Sequence, residues 1–161
     1  MNDLPYYEIP VKSTIYDHLL AFAMGAGTWQ KYHNFDAIQV PFDLAFSDPV
    51  LHMLGMQHRL AVGILRLDPY TTYDWHVDGR RGVCVNMLLN DVKSHCLFEV
   101  EKDEATRSFL ELKYAPKTYY VFNNQVPHMV TNFGQSRYLM SVEFAEGKDE
   151  LTYEQLLGEV K

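Results

Sequence analysis

A histidine and an aspartate one residue apart, His76-Val77-Asp78, are followed some fifty residues later by His128 and, nine residues further on, by Arg137. In an extended strand, residues two apart point to the same side. His76 and Asp78 can therefore share one face, and a second imidazole from a later strand can complete three ligands around one ion. Two imidazoles and one carboxylate, with the other coordination positions open, suit a non-haem Fe(II) that must also hold a cosubstrate and O₂. Of the seven histidines only His76 has an acid two residues on. Gly79 follows Asp78 directly, which puts the pair at a strand end beside a loop and leaves an ion open on one side. Arg137 starts a strand just after the turn Phe133-Gly134-Gln135. Antiparallel neighbours joined by that turn would bring its guanidinium close to His128, where it could grip a carboxylate through two parallel hydrogen bonds.

The elements that must position these groups are mostly strands. From Arg59 onward the apolar pattern has a period of two. It predicts strands over 60–67, 83–89, 95–100, 108–114, 118–122, 128–132 and 137–144, separated by turn signals every 8 to 12 residues, as in a sandwich, jelly roll or barrel. About four strands lie between Asp78 and His128, enough for the chain to cross a two-sheet barrel and return. The first third reads as mixed. Ser13 is expected to cap a helix through Ile15, Leu19, Leu20, Ala23 and Met24, ended by Gly25-Ala26-Gly27. Ser47-Asp48-Pro49 is a second start, with Ser47 as N-cap and an early proline, for a helix running to about Gln57. Both helices are expected on the outside of a sheet. Thr152 and Gln155 have capping-box spacing for a short terminal helix. The expected organisation is a single domain over 1–161, with a mixed helical support over 1–57, a β core over 58–146 and a C-terminal tail or helix over 147–161.

Composition narrows the function classes. The 161 residues fit one core, and the 11 Tyr and 9 Phe favour strands. A net charge of −7 repels phosphate backbones, so general nucleic-acid binding is not expected. No apolar run reaches the roughly 18 to 20 residues of a membrane span. Met1-Asn2-Asp3-Leu4-Pro5 lacks the basic-then-apolar order of a leader peptide. Cys84 and Cys96 form no CxxC motif and are expected as buried free thiols in a reducing cytoplasm. Nucleophile-elbow, phosphate-loop and dinucleotide motifs are absent from the sequence.

The set His76-x-Asp78 … His128 … Arg137 resembles the 2-oxoglutarate/Fe(II)-dependent oxygenase superfamily over roughly residues 60–145. The spacing from the second histidine to the arginine is similar to that of prolyl hydroxylase-like and aspartyl/asparaginyl β-hydroxylase-like members. The resemblance implies a mainly β fold with flanking helices, the double-stranded β-helix or jelly roll of cupin-like proteins. It also implies Fe(II) on His76, Asp78 and His128, with 2-oxoglutarate held by Arg137 and O₂ as the oxidant. Some members carry a serine two residues after this arginine. Here that position is Leu139, and Ser141, of the same strand parity as Arg137, is the candidate hydroxyl in its place. The implied reaction is hydroxylation of a C–H bond with decarboxylation of 2-oxoglutarate to succinate. The implied substrate is a peptide or protein side chain (Pro, Asn or Asp) or a small molecule. A cytoplasm supplies both reduced iron and the keto acid.

Other residues have two readings each. Asn86, on the parity of Cys84 and Leu88, either reaches the keto acid or is a satisfied core or edge amide. Tyr120 either lines the cosubstrate pocket or packs in the core. Arg80 and Arg81 either grip an acidic substrate or order the loop, or else form a solvated turn pair. Trp75 should point away from the ion and pack. His18 and His52 are expected at half-buried helix interfaces, His33 and His58 in connections, and His95 at a strand start without an acid nearby. Asn123, Asn124 and Asn132 read as turn residues. Two rival functions share these residues. One is a cupin-like metal enzyme that does not use 2-oxoglutarate, which would have no need of Arg137. The other is a non-enzymatic β-sandwich binding protein.

Overall fold

Two antiparallel sheets face each other and carry helices on one outer side, the architecture of a double-stranded β-helix. The computed structural model describes residues 4–161; Met1, Asn2 and Asp3, from the segment expected to lack a leader peptide, lie outside them. The major sheet has seven strands in the order β1 (Tyr6–Lys12), β9 (Thr118–Asn123), β6 (Val83–Leu88), β11 (Arg137–Phe144), β4 (Leu60–Leu67), β3 (Phe35–Gln39) and β2 (Gln30–Tyr32). The minor sheet has four, in the order β5 (Thr72–His76), β10 (His128–Asn132), β7 (Ser94–Lys102) and β8 (Arg107–Leu112).

Strand parity decides what each face carries. On β11, Tyr138, Met140, Val142 and Phe144 turn outward and pack with Val62 and Ile64 of β4 and Val85 and Met87 of β6 under the helices. The helices α1 (Tyr16–Gly25) and α3 (Pro49–Gln57) bring Leu19, Ala23, Leu51 and Leu54 onto this outer cluster. A one-turn helix α2 (Phe42–Ala45) precedes α3. A second cluster lies between the sheets and includes Leu67, Cys84, Cys96, Phe98, Phe122 and Val130. Both thiols are free and buried.

Several local expectations need correction. The N-terminal segment is not only a helical support. It supplies β1 at one edge of the major sheet and the β2–β3 hairpin at the other. Asp48, not Ser47, caps α3: its Oδ1 accepts the N–H groups of Val50 (2.8 Å) and Leu51 (3.2 Å). Asp48 Oδ2 accepts the Thr14 N–H at 2.9 Å and the Ser13 hydroxyl at 3.3 Å, and the Tyr119 hydroxyl donates to Ser13 Oγ at 3.1 Å. Ser13 is thus drawn into a buried network joining α1, α3 and β9, and α1 starts without a side-chain cap. His18 and His52 are exposed. His95 does have an acid in reach, across the strand pair: its Nδ1 is 2.6 Å from Glu111 Oε1. The terminal helix α4 (Tyr153–Val160) carries the Thr152–Gln155 capping box as expected. No helix among the described residues is long and apolar enough to cross a membrane.

Candidate metal centre

His76 is the last residue of β5, and Asp78 lies just beyond it in the loop rather than in the strand. β10 pairs with β5 so that His128 stands directly opposite His76. The long-range pairing of two strand ends thereby unites residues that are far apart in the chain. One ligand atom from each of His76, Asp78 and His128 lies within 4.8 Å of the others. Asp78 Oδ1 is 3.5 Å from His76 Nε2 and 3.9 Å from His128 Nε2. Atoms bound to one ion at about 2.1 Å must lie within about 4 Å of each other, so the triad needs little adjustment to close on a metal.

The backbone selects the tautomers. His76 Nδ1–H donates to the Asp74 carbonyl at 2.6 Å, and His128 Nδ1–H donates to the Val126 carbonyl at 2.8 Å. Each ring therefore turns an Nε2 lone pair toward Asp78, the arrangement that metal-binding histidines use. Burial pushes the His128 imidazole down to about 4, aided by the neighbouring His76, so the ring is neutral at pH 7 as a ligand must be.

Asp78 is held by Arg81, which orders the loop as one of its readings expected, and by Asn124, which was expected only as a turn residue. Its Oδ2 accepts from Arg81 Nε (3.0 Å), Arg81 Nη2 (2.7 Å) and Asn124 Nδ2 (2.8 Å). Three donors on one oxygen leave Oδ1 for a metal and favour one-oxygen ligation. Arg81 is thus not a solvated turn residue, since its side chain is only 22 % exposed. Asn124 is not merely a turn residue either, being 1 % exposed. The loop is pinned further by Gln125, whose amide donates to the carbonyls of Asp78 (2.9 Å) and Arg81 (2.7 Å). Gly82 allows the close packing at the loop's end. A Cβ there would stand 2.5 Å from the Leu151 carbonyl oxygen.

Arg137 departs from the sequence reading in its partner strand. β10 and β11 are not neighbours: the turn between them crosses from the minor to the major sheet, and Arg137 pairs with Leu67 of β4. Its side chain points between the sheets into a cavity of about 50 Å³ that also reaches His76 and His128. The residue is 2 % exposed. Its Nε donates to Ser94 Oγ at 3.3 Å, its guanidinium sits 5.7 Å from the Tyr114 ring centre, and no carboxylate among the described residues pairs with it. A buried cation without a counter-charge is costly, so this end of the cavity suits an anion.

Asn86 and Ser141 face the same cavity. Asn86 Oδ1 accepts a weak 3.4 Å bond from the Cys84 thiol. Tyr120 does not line the cavity. It is buried, and its hydroxyl accepts the Ala115 N–H at 3.0 Å. The tyrosines that do line it are Tyr73 and Tyr114. Burial holds the Tyr114 phenol well above its ordinary range, so it is a proton donor. Tyr114 lies two residues beyond the inward-facing Leu112, and that parity was the available signal. Trp75 points away from the triad and stacks on Phe109 at 5.3 Å, as expected.

No family model matches the chain, and no curated protein sequence does. Solved structures do. A prolyl-4-hydroxylase from Pseudomonas putida superposes with a TM-score of 0.63 at 14 % identity, covering 88 % of this chain and 92 % of that one. A prolyl hydroxylase from Trichoplax adhaerens, in complex with a peptide fragment of the hypoxia-inducible factor oxygen degradation domain, gives 0.61 at 12 % identity, with 94 % and 85 % covered. An oxidoreductase of the 2OG-Fe(II) oxygenase family from Burkholderia pseudomallei gives 0.59 at 12 % identity, with 94 % and 88 % covered. The chain therefore has the double-stranded β-helix fold of the 2-oxoglutarate/Fe(II) oxygenases.

Proposed function

We propose that this protein is a 2-oxoglutarate- and Fe(II)-dependent oxygenase that hydroxylates a C–H bond, with a prolyl, asparaginyl or aspartyl side chain of a peptide as the first substrate class to test. The observation that carries this reading is the buried Arg137 guanidinium, without a carboxylate partner, in the cavity that leads to the His76–Asp78–His128 triad. A three-ligand metal site alone is common to several chemistries. A cationic anchor deep behind it fits a dianionic keto acid that reaches from the anchor to the metal.

The residues present suit both groups. Two neutral imidazoles and one carboxylate leave a bound Fe(II) with net positive charge and open positions. The chemistry such a metal supplies when bound is the activation of O₂ coupled to decarboxylation of the keto acid to succinate. The chain's own residues bind, orient and shield. Arg137, with the Tyr114 phenol beside it, receives the distal carboxylate. Ser141 and Asn86 offer a hydroxyl and an amide along the cavity wall. Arg81 and Asn124 fix the Asp78 carboxylate, and Phe122 and Val130 exclude water from the inner wall. The cytoplasm, with reduced iron and 2-oxoglutarate, is the proposed location.

Anaerobic titration with Fe(II) and 2-oxoglutarate tests the reading. A weak visible charge-transfer band is expected, and it should vanish in His76→Ala. If the band never forms in the unaltered protein, the reading is wrong. If Arg137→Ala leaves 2-oxoglutarate binding intact, a metal enzyme of another kind takes its place.

A further inference from the structure

The inward face of the major sheet does not end at the metal. Along β11 the inward positions are Arg137, Leu139, Ser141 and Glu143, and their partners on β4 are Leu67, Leu65, Gly63 and Ala61. The side chains packed between the two sheets stop at Leu65. Beyond it lies a trough of about 210 Å³ whose floor is Ala37, Ala61 and Gly63 and whose walls carry Gln39, Tyr32 and Glu143. Leu65, Arg81 and Ser141 line both this trough and the inner cavity, so the two spaces meet beside the metal triad. His33, at the tip of the β2–β3 hairpin, holds a left-handed φ of 54° and lines the mouth together with Tyr32. A non-glycine residue in that region is a local cost often found at ligand sites.

The charge in the trough is specific. Arg81 is neutralised by Asp78. Gln30, Gln39, Tyr32 and Ser141 are neutral. Arg80 does not line the trough; it lines the mouth, as Glu143 also does, and forms no ion pair with it. Glu143 alone remains: it is exposed, makes no hydrogen bond or ion pair with any described residue, and faces Ala61 across the strand pair. The space thus offers small residues for an aliphatic chain and one uncompensated carboxylate at its outer end.

We infer that this trough is the substrate site and that it takes a molecule bearing an ammonium or guanidinium group, either a free basic amino acid or the same side chain in a peptide, with Glu143 as the charge partner. The inference rests on the oxygenase reading and puts a basic side chain in place of the prolyl, asparaginyl or aspartyl one as its substrate class. An aliphatic stem over Gly63 would place its carbons toward the triad while the cationic end stays in contact with Glu143 and water.

The test is calorimetric titration of protein loaded with redox-inert Mn(II) and 2-oxoglutarate. The free-ligand probes are L-lysine, L-arginine and the neutral L-norleucine. The peptide probes are capped Gly-Lys-Gly and its norleucine counterpart. In at least one of the two sets, a cationic probe should bind about tenfold more tightly than the neutral one, as one charge-assisted contact predicts. The set that shows the preference identifies the source, free or peptidic. Glu143→Gln should abolish the preference. Gly63→Val should weaken cationic and neutral probes alike, because its added atoms fill the floor. A Cβ at Gly63 meets only the Ile38 carbonyl oxygen, at 3.5 Å, so the backbone accepts it. Equal binding of cationic and neutral probes, no binding in either set, or a preference that survives Glu143→Gln overturns the inference. Mn(II) and 2-oxoglutarate binding are scored first by thermal shift. Their failure would remove the oxygenase reading, while the probe titration, run on the unloaded protein, would still decide the trough.

Discussion

The two faces of one strand divide the work of this molecule. On β11 the outward residues Tyr138, Met140, Val142 and Phe144 join the helix-covered cluster. The inward residues Arg137, Ser141 and Glu143 are polar or charged and face cavities. The outward face packs mainly on apolar neighbours, with Arg66 beside Tyr138 and His58 against Phe144 at its ends, and burial there stabilises the sheet at roughly 25 cal/mol per Å². The inward face gives up that gain at several positions and holds a buried cation instead. Sites are often where a fold accepts such a local loss. Outward substitutions should therefore change stability, and inward ones ligand binding.

The largest expected effect is on the inward side. Asp78→Ala or His128→Ala should abolish the rise in thermal stability produced by Mn(II) or Fe(II), since binding to the folded state alone stabilises by mass action. A normal metal-dependent shift in both variants would dissolve the contrast between the faces. Next comes Arg137→Ala. Loss of a buried charged partner costs about 2 to 5 kcal/mol, so 2-oxoglutarate affinity should fall at least thirtyfold while metal binding persists. On the outward face, Met140→Ala removes a fully buried side chain and should cost about 2 to 5 kcal/mol of folding stability. Metal and keto-acid affinities of the folded fraction should not change; a large change in either would show that the faces are coupled.

A smaller effect is expected from Asn124→Ala, which takes one of three donors from Asp78 Oδ2. Supporting groups of this kind are worth about 10- to 100-fold in metal affinity, readable by competition with a chelator.

The smallest effect belongs to His58, at the outer end of the helix-covered side. Its Nδ1 lies 3.0 Å from Glu146 Oε1 and its Nε2 2.6 Å from Glu159 Oε2, and its ring packs edge-on to Phe144 at 5.3 Å. Burial lowers the His58 imidazole, but the hydrogen bonds it donates to both glutamates outweigh it and raise the net value above 6.5. Its stabilisation is therefore complete below about pH 6.5 and is lost as pH rises through the raised value. Glu146 is held below its usual range by the same bond, so its share is present above about pH 4.5 and fades as pH falls through the lowered value. Between these limits His58→Gln should cost on the order of 1 kcal/mol, discounted for the partly exposed glutamates. Denaturant midpoints at pH 6 and pH 9 would check this. An equal loss at both would mean that packing on Phe144, not charge, is what His58 contributes.

Much of the sheet was legible because strand parity is local. The strands 60–67, 128–132 and 137–144 fall where the period-two pattern placed them. The N-terminal strands were not legible, for identifiable reasons. β1 lies at an edge and contains Pro10, a residue that edge strands tolerate and sequence patterns penalise. β2 has only three residues, and its hairpin turns at His33 without a glycine to mark it. Ser47 and Asp48 are both good caps by type. Which one caps depends on Thr14 and Ser13 arriving from 34 and 35 residues away to use the second carboxylate oxygen.

The identity of the three candidate ligands and the shared parity of Arg137 and Ser141 could be read from the chain alone, because ligand chemistry belongs to residue type and facing belongs to a two-residue repeat. Which sheet Arg137 joins, that Asn124 closes on Asp78, and that Tyr114 rather than Tyr120 enters the cavity were decided only when distant strands paired. Those outcomes depend on register and crossover between β5, β10 and β11, set by burial across the whole barrel and invisible to any short window of sequence.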